Sequence, residues 1–332
     1  MTFTERASIE TGFSDVFQSD IAPKLNEAEA HRQALLKKAM LHAGIPLAIA
    51  ALIALYALLT ASDMEGRLVG SIVPLAFGGV IAAFLWHRQA RQWGNTISEA
   101  VMPGVCRFLG DLSHDKTASR RFPLDSAQGL GLIGSFNRTN LEDRLEGTYR
   151  DTDFELVEAH LRRRSGGNDD NSKTTTVFKG LLIRIGVPER VPTDIFIARE
   201  LGGFGNALGE MFAFGTGRSK PRVTFDHAEF EAAFAVYADD PDAARRIMPD
   251  PFLDSLLAIA HSEGGDKGTR AMRAGFRESD FFLALERKDG FMEMGGLRQP
   301  VHDVEEDLHG LFEDLAIVRR IIDRLHGDTP DG

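Results

Sequence analysis

Two runs of nineteen residues without a charged side chain, "GIPLAIAALIALYALLTAS" (44–62) and "LVGSIVPLAFGGVIAAFLW" (68–86), constrain this chain more than any other feature. At 1.5 Å per residue, a helix of that length spans about 28 Å, close to the hydrocarbon thickness of a bilayer. Backbone polar groups find no water there, so isolated spans must be helical. A signal peptide fits poorly, because the first run begins far from Met1 and a second follows after only "DMEGR". So short a connector requires an antiparallel hairpin. Arg32, Lys37 and Lys38 precede the first span and Arg88 and Arg91 follow the second, whereas the connector holds Arg67 beside Asp63 and Glu65. The positive-inside rule then places both ends in the cytoplasm, with Trp86 and Trp93 near the inner interface. No Asp, Glu, Lys, Arg or His lies within either span, which speaks against an ion or proton pathway. Gly78/Gly79 with Ala82/Ala83 give small-xxx-small spacing, suited to packing the two arms of the hairpin or, alternatively, to a dimer, and Pro74 is expected to kink the second span.

Beyond the hairpin the chain is acidic. Residues 1–94 hold eight basic and eight acidic side chains, so the net charge of -11 arises entirely in the remainder. A nucleic-acid partner is not expected from such a surface. The single cysteine, Cys106, rules out an intrachain disulfide and fits a small buried thiol in a helical pattern.

Residues 15–42 read as an amphipathic helix running into the first span, and residues 88–112 as a helix continuing the second. Residues 113–140 lack an apolar period and read as a loop. Strands are expected in "TDFELVEAHLRRR", "TTTVFKGLLIRIGV", "TDIFIARE", "RVTFD" and "FAVYA", and a hairpin around Glu278-Ser279-Asp280. Val304, Leu308, Leu311, Leu315, Val318, Ile322 and Leu325 mark one face of a closing amphipathic helix. Strands adjacent in sequence imply an antiparallel sheet packed with helices, an α+β domain. The expected organisation is a cytoplasmic helix (1–42), a transmembrane hairpin (43–87), a helical stalk and linker (88–146) and a cytoplasmic α+β domain (147–328).

Four stretches carry side chains that chemistry can use. "YADDPDAARRIMPDPF" (237–252) crowds aspartates into a possible metal or acid/base site. Asp239 or Asp240 before Pro241, and Asp250 before Pro251, also fit helix caps, and capping is the expected role. His302, Glu306, His309 and Glu313 recur at helical spacing, a weak metal stripe expected to face away from the apolar side. Phe204, Leu208, Met211, Phe212 and Phe214 lie in a glycine-rich loop (200–220) that docks on its own domain, the bilayer or a partner. Its Gly215–Lys220 run departs from a phosphate-loop pattern. Arg162, Arg163 and Arg164 are candidates for membrane or partner contact. No cofactor, resident metal or catalytic residue is assigned.

"FNRTNLEDRLEGTYRDTDFELVEAHLRRR", "VFKGLLIRI", "RVTFDHAEFEAAFAVYADDPDAARRIMPDPFLDSLLAI" and "FRESDFFLALE", with the two-span start, resemble the bacterial family catalogued as domain of unknown function 3137, over roughly residues 40–325. The resemblance implies a bacterial inner-membrane protein with a cytoplasmic domain, and it brings no catalytic residues. Asp151 stands where the pattern leads one to expect glycine, and the 200–220 loop is individual to this chain. The function these features support is a non-enzymatic, membrane-anchored interaction or sensing module, with the bilayer and a protein as partners. The alternatives are a membrane-bound enzyme with dispersed active-site residues and a structural subunit of a membrane complex.

Overall fold

The computed structural model describes residues 1–118, 122–166, 173–199, 219–263, 271–287 and 294–327. The chain divides into a helical unit, Met1–Phe108 with Glu293–Gly310, and a sheet unit, Leu109–Met292 with Leu311–Gly332.

In the helical unit a short helix α1 (Phe13–Val16) and a π turn lead into α2 (Ala22–Thr60), which an abrupt turn joins to α3 (Met64–Leu109). The turn is set by Asp63, whose carboxylate accepts from the Gly66 N–H at 2.9 Å and so caps α3. Both helices are long and apolar enough to cross a membrane. They are built inside out. Ala50, Ala54, Gly78 and Ala82 are buried, whereas Leu52 (67% exposed), Phe77 (69%) and Phe84 (68%) point outward. A Cβ on Gly78 would sit 2.5 Å from the Ala50 Cβ and 3.0 Å from the Pro46 carbonyl, and one on Gly70 would sit 2.7 Å from the Ala57 Cβ. The inner half of the small-residue pattern therefore serves close packing of the two arms, while Gly79 has no atom within 4 Å of its Cβ position. Pro46, Pro74 and Pro103 all lie inside these helices.

The sheet unit carries, among the described residues, nine antiparallel strands: β1 (Leu112–Asp115), β2 (Arg138–Tyr149), β3 (Thr152–Ser165), β4 (Lys173–Gly186), β5 (Ile195–Arg199), β6 (Arg222–Val223), β7 (Phe234–Ala238), β8 (Ala271–Arg277) and β9 (Asp280–Glu286). Their order is β1-β2-β3-β4-β9-β8-β5-β7-β6. The β8–β9 turn at Glu278-Ser279 falls where the sequence placed it, closed by the Arg277–Asp280 pair.

Residues 113–140 are not a loop. They contain most of β1, helix α4 (Leu124–Leu130) and the start of β2. Ala118, Phe122, Ala127, Leu130, Leu132 and Ile133 close over one face of the sheet, against Val157, Ala159, Leu161, Phe178, Leu182, Phe196 and Phe282. A segment that caps a sheet in short pieces has no reason to show a helical or strand period. This cover also explains why β3 alternates so poorly: both of its faces are buried along the middle. The sheet begins upstream of residue 147, within the segment expected to be stalk and linker.

Helices α5 (Ala228–Ala233), α6 (Pro241–Ile247) and α7 (Asp250–Glu263) follow, and α8 (Val304–Leu325) closes the chain. Asp240 caps α6, accepting from the N–H groups of Asp242 (3.1 Å) and Ala243 (2.9 Å), with Pro241 as the first helical residue. The second device is shifted by one residue. Helix α7 starts on Asp250 itself, and its first turn is closed by the Pro249 carbonyl, which accepts from Phe252 and Leu253. Phe252 packs against Phe276 and Phe281, which places α7 on the face of the sheet opposite α4. Helix α8 contributes its residues up to Gly310 to the helical unit and the rest to the sheet unit. Val304, Leu308, Leu311, Leu315, Val318 and Ile322 are buried as their spacing requires, and Leu325 is half-buried.

Candidate functional site

In the helical unit, the segment preceding α8 lies on α2 and α3 at the end of the apolar shell. Gly295 adopts φ 57°, in the left-handed region, and its N–H donates to Asp307 Oδ2 at 2.7 Å. Burial, with the charges of Asp303 and Glu306, pushes the Asp307 carboxyl above its ordinary value against that bond. Met294, Leu297 and Val301 are buried. Arg32 Nη1 donates to the Leu297 carbonyl at 2.9 Å, and its Nε and Nη2 form a fork on Glu29 (2.9 and 2.7 Å). That fork holds the Glu29 carboxyl down to about 2. The Arg298 guanidinium lies over the Trp86 ring, 4.4 Å from its centroid.

The N-terminal arm closes over the start of α8. Thr4 N–H donates to Glu305 (2.9 Å), Arg6 to Glu306 (2.8 Å), and Phe3 stacks on His309 with centroids 4.6 Å apart. Buried Glu10 accepts from the N–H groups of Arg6 and Ala7 and meets His309 Nδ1 at 2.6 Å. An ionised carboxylate only accepts, so Nδ1 carries the proton. The other ring nitrogen, Nε2, is buried without a hydrogen-bond partner, 3.9 Å from Glu305 Oε1. Burial pushes the Glu10 carboxyl up, but the two N–H bonds and the histidine outweigh it and hold it below the ordinary value of 4.5. Its stabilising contribution is therefore complete above that value and lost as pH falls through the lower folded one. Replacing Glu10 with Gln is expected to cost about 1–3 kcal/mol at neutral pH. It should also flatten the fall in stability below pH 4.5, read as unfolding midpoints between pH 3 and 7. Parallel profiles for the two proteins would contradict the assignment.

In the sheet unit, alternating charges run across the face that carries α4. Arg144 bridges Glu146 (2.6 Å) and Glu155 (2.7 Å), and Arg184 reaches Glu155 (3.8 Å) and Asp280 (2.8 Å). Lys220 joins Asp194 (3.8 Å) and Asp239 (2.8 Å), and Arg277 also approaches Asp194 (3.8 Å). Gly129 leaves the space that Arg277 fills. A second cluster forms at a bulge in β2. Asp143, at φ 52°, holds Lys116 (2.7 Å) and His114 Nε2 (3.1 Å) on its buried carboxylate. His114 and Asp143 lie far apart in the chain, and no spacing in the sequence links them. A third pair is the buried fork between Arg287 and Asp314 (2.9 and 2.7 Å). Cys106 is the poorest candidate nucleophile, because burial pushes its thiol up to about 11.

The stripe on α8 does not form a site. His302 is exposed beside Asp303, Glu306 is exposed and paired with Arg6, and Glu313 is exposed. His309, expected to face away from the apolar side, is buried because the N-terminal arm covers it. Among the described residues no group of three or more His, Cys, Asp or Glu side chains is placed to hold a metal ion. Arg162, Arg163 and Arg164 end β3 opposite Thr176, Thr175 and Thr174. Asn137 clamps the backbone of Arg162 and Arg164 there, and the side chains of Arg162 and Arg163 are exposed. Phe204, Leu208, Met211, Phe212 and Phe214 lie outside the described residues.

Two long apolar helices followed by an antiparallel sheet packed with helices define the class: an α+β protein with a helical hairpin suited to a membrane. The profile of the family described as "Protein of unknown function (DUF3137)" matches residues 176–326, a little less than half of the chain. No curated protein matches. The crystal structure of the mycobacterial trehalose monomycolate transport factor A, TtfA, aligns at 9% identity over 64% of this chain and 86% of that one. The TM-score of that alignment is 0.26, too low to bear on fold or function.

Proposed function

We propose that this chain is a multi-pass protein of a bacterial inner membrane. Two spans would anchor a cytoplasmic α+β domain that acts as a non-enzymatic interaction or sensing module, with both termini cytoplasmic. The observation that carries the reading is the inside-out hairpin: small side chains between the arms, large apolar ones outside. Hydrocarbon is the surrounding that such a surface fits. The cations flanking the spans support the orientation. A non-enzymatic role is supported by the charged groups of the sheet face, each committed to a partner within the domain. One observation favours an enzyme instead: the His114–Asp143 pair on a strained bulge, the kind of arrangement that orients a general base.

Reporters fused after Glu65 and at the C terminus test the topology. A periplasm-dependent enzyme should be active only in the connector, and a cytoplasm-dependent one only at the C terminus. A periplasmic C terminus would sink the proposal.

A further inference from the structure

We propose that the helical unit carries a cationic collar that recognises anionic phospholipid, and that Arg298, brought in from the far end of the chain, is part of it. This rests on the membrane-anchoring reading above. The apolar shell of α2 and α3 ends near His42 and Trp86, and there Lys37, Lys38, Arg88, Arg91 and Arg298 are all exposed. No carboxylate occurs between Glu29 and Asp63, between Glu65 and Glu99, or from Met294 to His302. None of the five cations forms an ion pair among the described residues, although Arg6, Arg32, Arg144, Arg184 and Arg287 all do.

Arg298 is held in place rather than merely nearby. Arg32 grips the adjacent Leu297 carbonyl, Leu297 itself is buried, and the guanidinium lies over the Trp86 ring. An indole at the end of an apolar span sits at headgroup depth. A guanidinium stacked on its face keeps its N–H edge for phosphate oxygens, which it can bind in a fork. The opposite end of the hairpin has Arg67 with Asp63 and Glu65, so the collar is confined to one side. Uncompensated cations continuous with a lipid-facing shell complement the negative surface of an anionic leaflet, and basic residues at that depth gain from it.

The test reconstitutes the full chain in vesicles of equal phosphatidylglycerol and phosphatidylcholine, with bromine on the acyl chains of one lipid or the other, and reads quenching of tryptophan fluorescence. Trp86 and Trp93 are the chain's two tryptophans, and Trp93 is buried. Brominated phosphatidylglycerol is expected to quench about threefold more effectively than brominated phosphatidylcholine. Arg298→Gln should lower that ratio, as should Arg88→Gln with Arg91→Gln, and high salt should lower it too. A ratio near one in the native protein overturns the collar and leaves the anchoring reading standing, as does a ratio unmoved by either set of substitutions. Failure of the protein to float with the vesicles overturns both.

Discussion

Replacing Gly180 with alanine is expected to lower the stability of the sheet domain by about 4 kcal/mol or more, or to prevent its folding. Gly180 lies on β4, opposite Ala159 of β3 on one side and Glu286 of β9 on the other, in the middle of the sheet order. Its φ is 150°, a conformation that side-chain-bearing residues rarely adopt. A Cβ there would lie 2.0 Å from the Leu285 carbonyl oxygen, 2.7 Å from the Arg287 nitrogen and 3.0 Å from the Glu286 Cα. All three are backbone atoms of β9 or of the residue that follows it. A flexible side chain can swing aside; these atoms move only if the β4–β9 ladder opens. The measurement is thermal unfolding of the full chain in detergent, where a midpoint drop of about 10 °C is expected. Gly79→Ala is the control, since nothing lies within 4 Å of its Cβ position. If Gly180→Ala melts with the native protein, the register of β4 on β9 is wrong.

The second large effect is expected at the buried fork between Arg287 and Asp314. Both side chains are almost fully withdrawn from solvent, and the two bonds join the residue following β9 to α8. Asp314→Ala removes two charge-assisted hydrogen bonds from a buried guanidinium, a loss of about 3–5 kcal/mol. Removing both charges is a different matter, because the desolvation cost disappears together with the attraction. Arg287→Met combined with Asp314→Leu should therefore recover most of the loss, within about 1.5 kcal/mol of the native protein. Chemical denaturation of the three variants decides it. A double variant as unstable as the single one would show that the fork is needed for shape and not for charge balance.

Much of the architecture was legible because it repeats. The spans are uninterrupted apolar runs, α8 keeps a four-three spacing, and the β8–β9 hairpin alternates up to a turn. The Asp240-Pro241 cap was legible for a local reason: a short carboxylate and a proline satisfy a helix start using only adjacent residues. Strand β2 was not. Its bulge between Glu142 and Leu145 slips the register, so Leu141 opposes Ala159 on one face and Leu145 opposes Leu156 on the other. On a regular strand two residues four apart share a face, so the bulge breaks the very alternation by which a strand is recognised. The stripe on α8 went wrong at His309 for the opposite reason. Its spacing was read correctly, but a polar residue on the outer side of a helix is exposed only until another segment covers it.

The sequence by itself determined the hairpin, the acidic character of the rest of the chain, the α+β class and the Asp240 cap. Each depends on periodicity or on neighbours within about four residues, where backbone geometry alone sets which side chains meet. Only the tertiary structure decided which charges are buried and with whom, Glu10 with His309, Arg144 with Glu155 and Arg287 with Asp314, and which exposed one lies on an indole, Arg298 on Trp86. Those partners are distant in the chain or set by strand register. Desolvation makes such pairs costly unless geometry is good, so their placement follows from how the packed elements meet and leaves no periodic mark on the residues themselves.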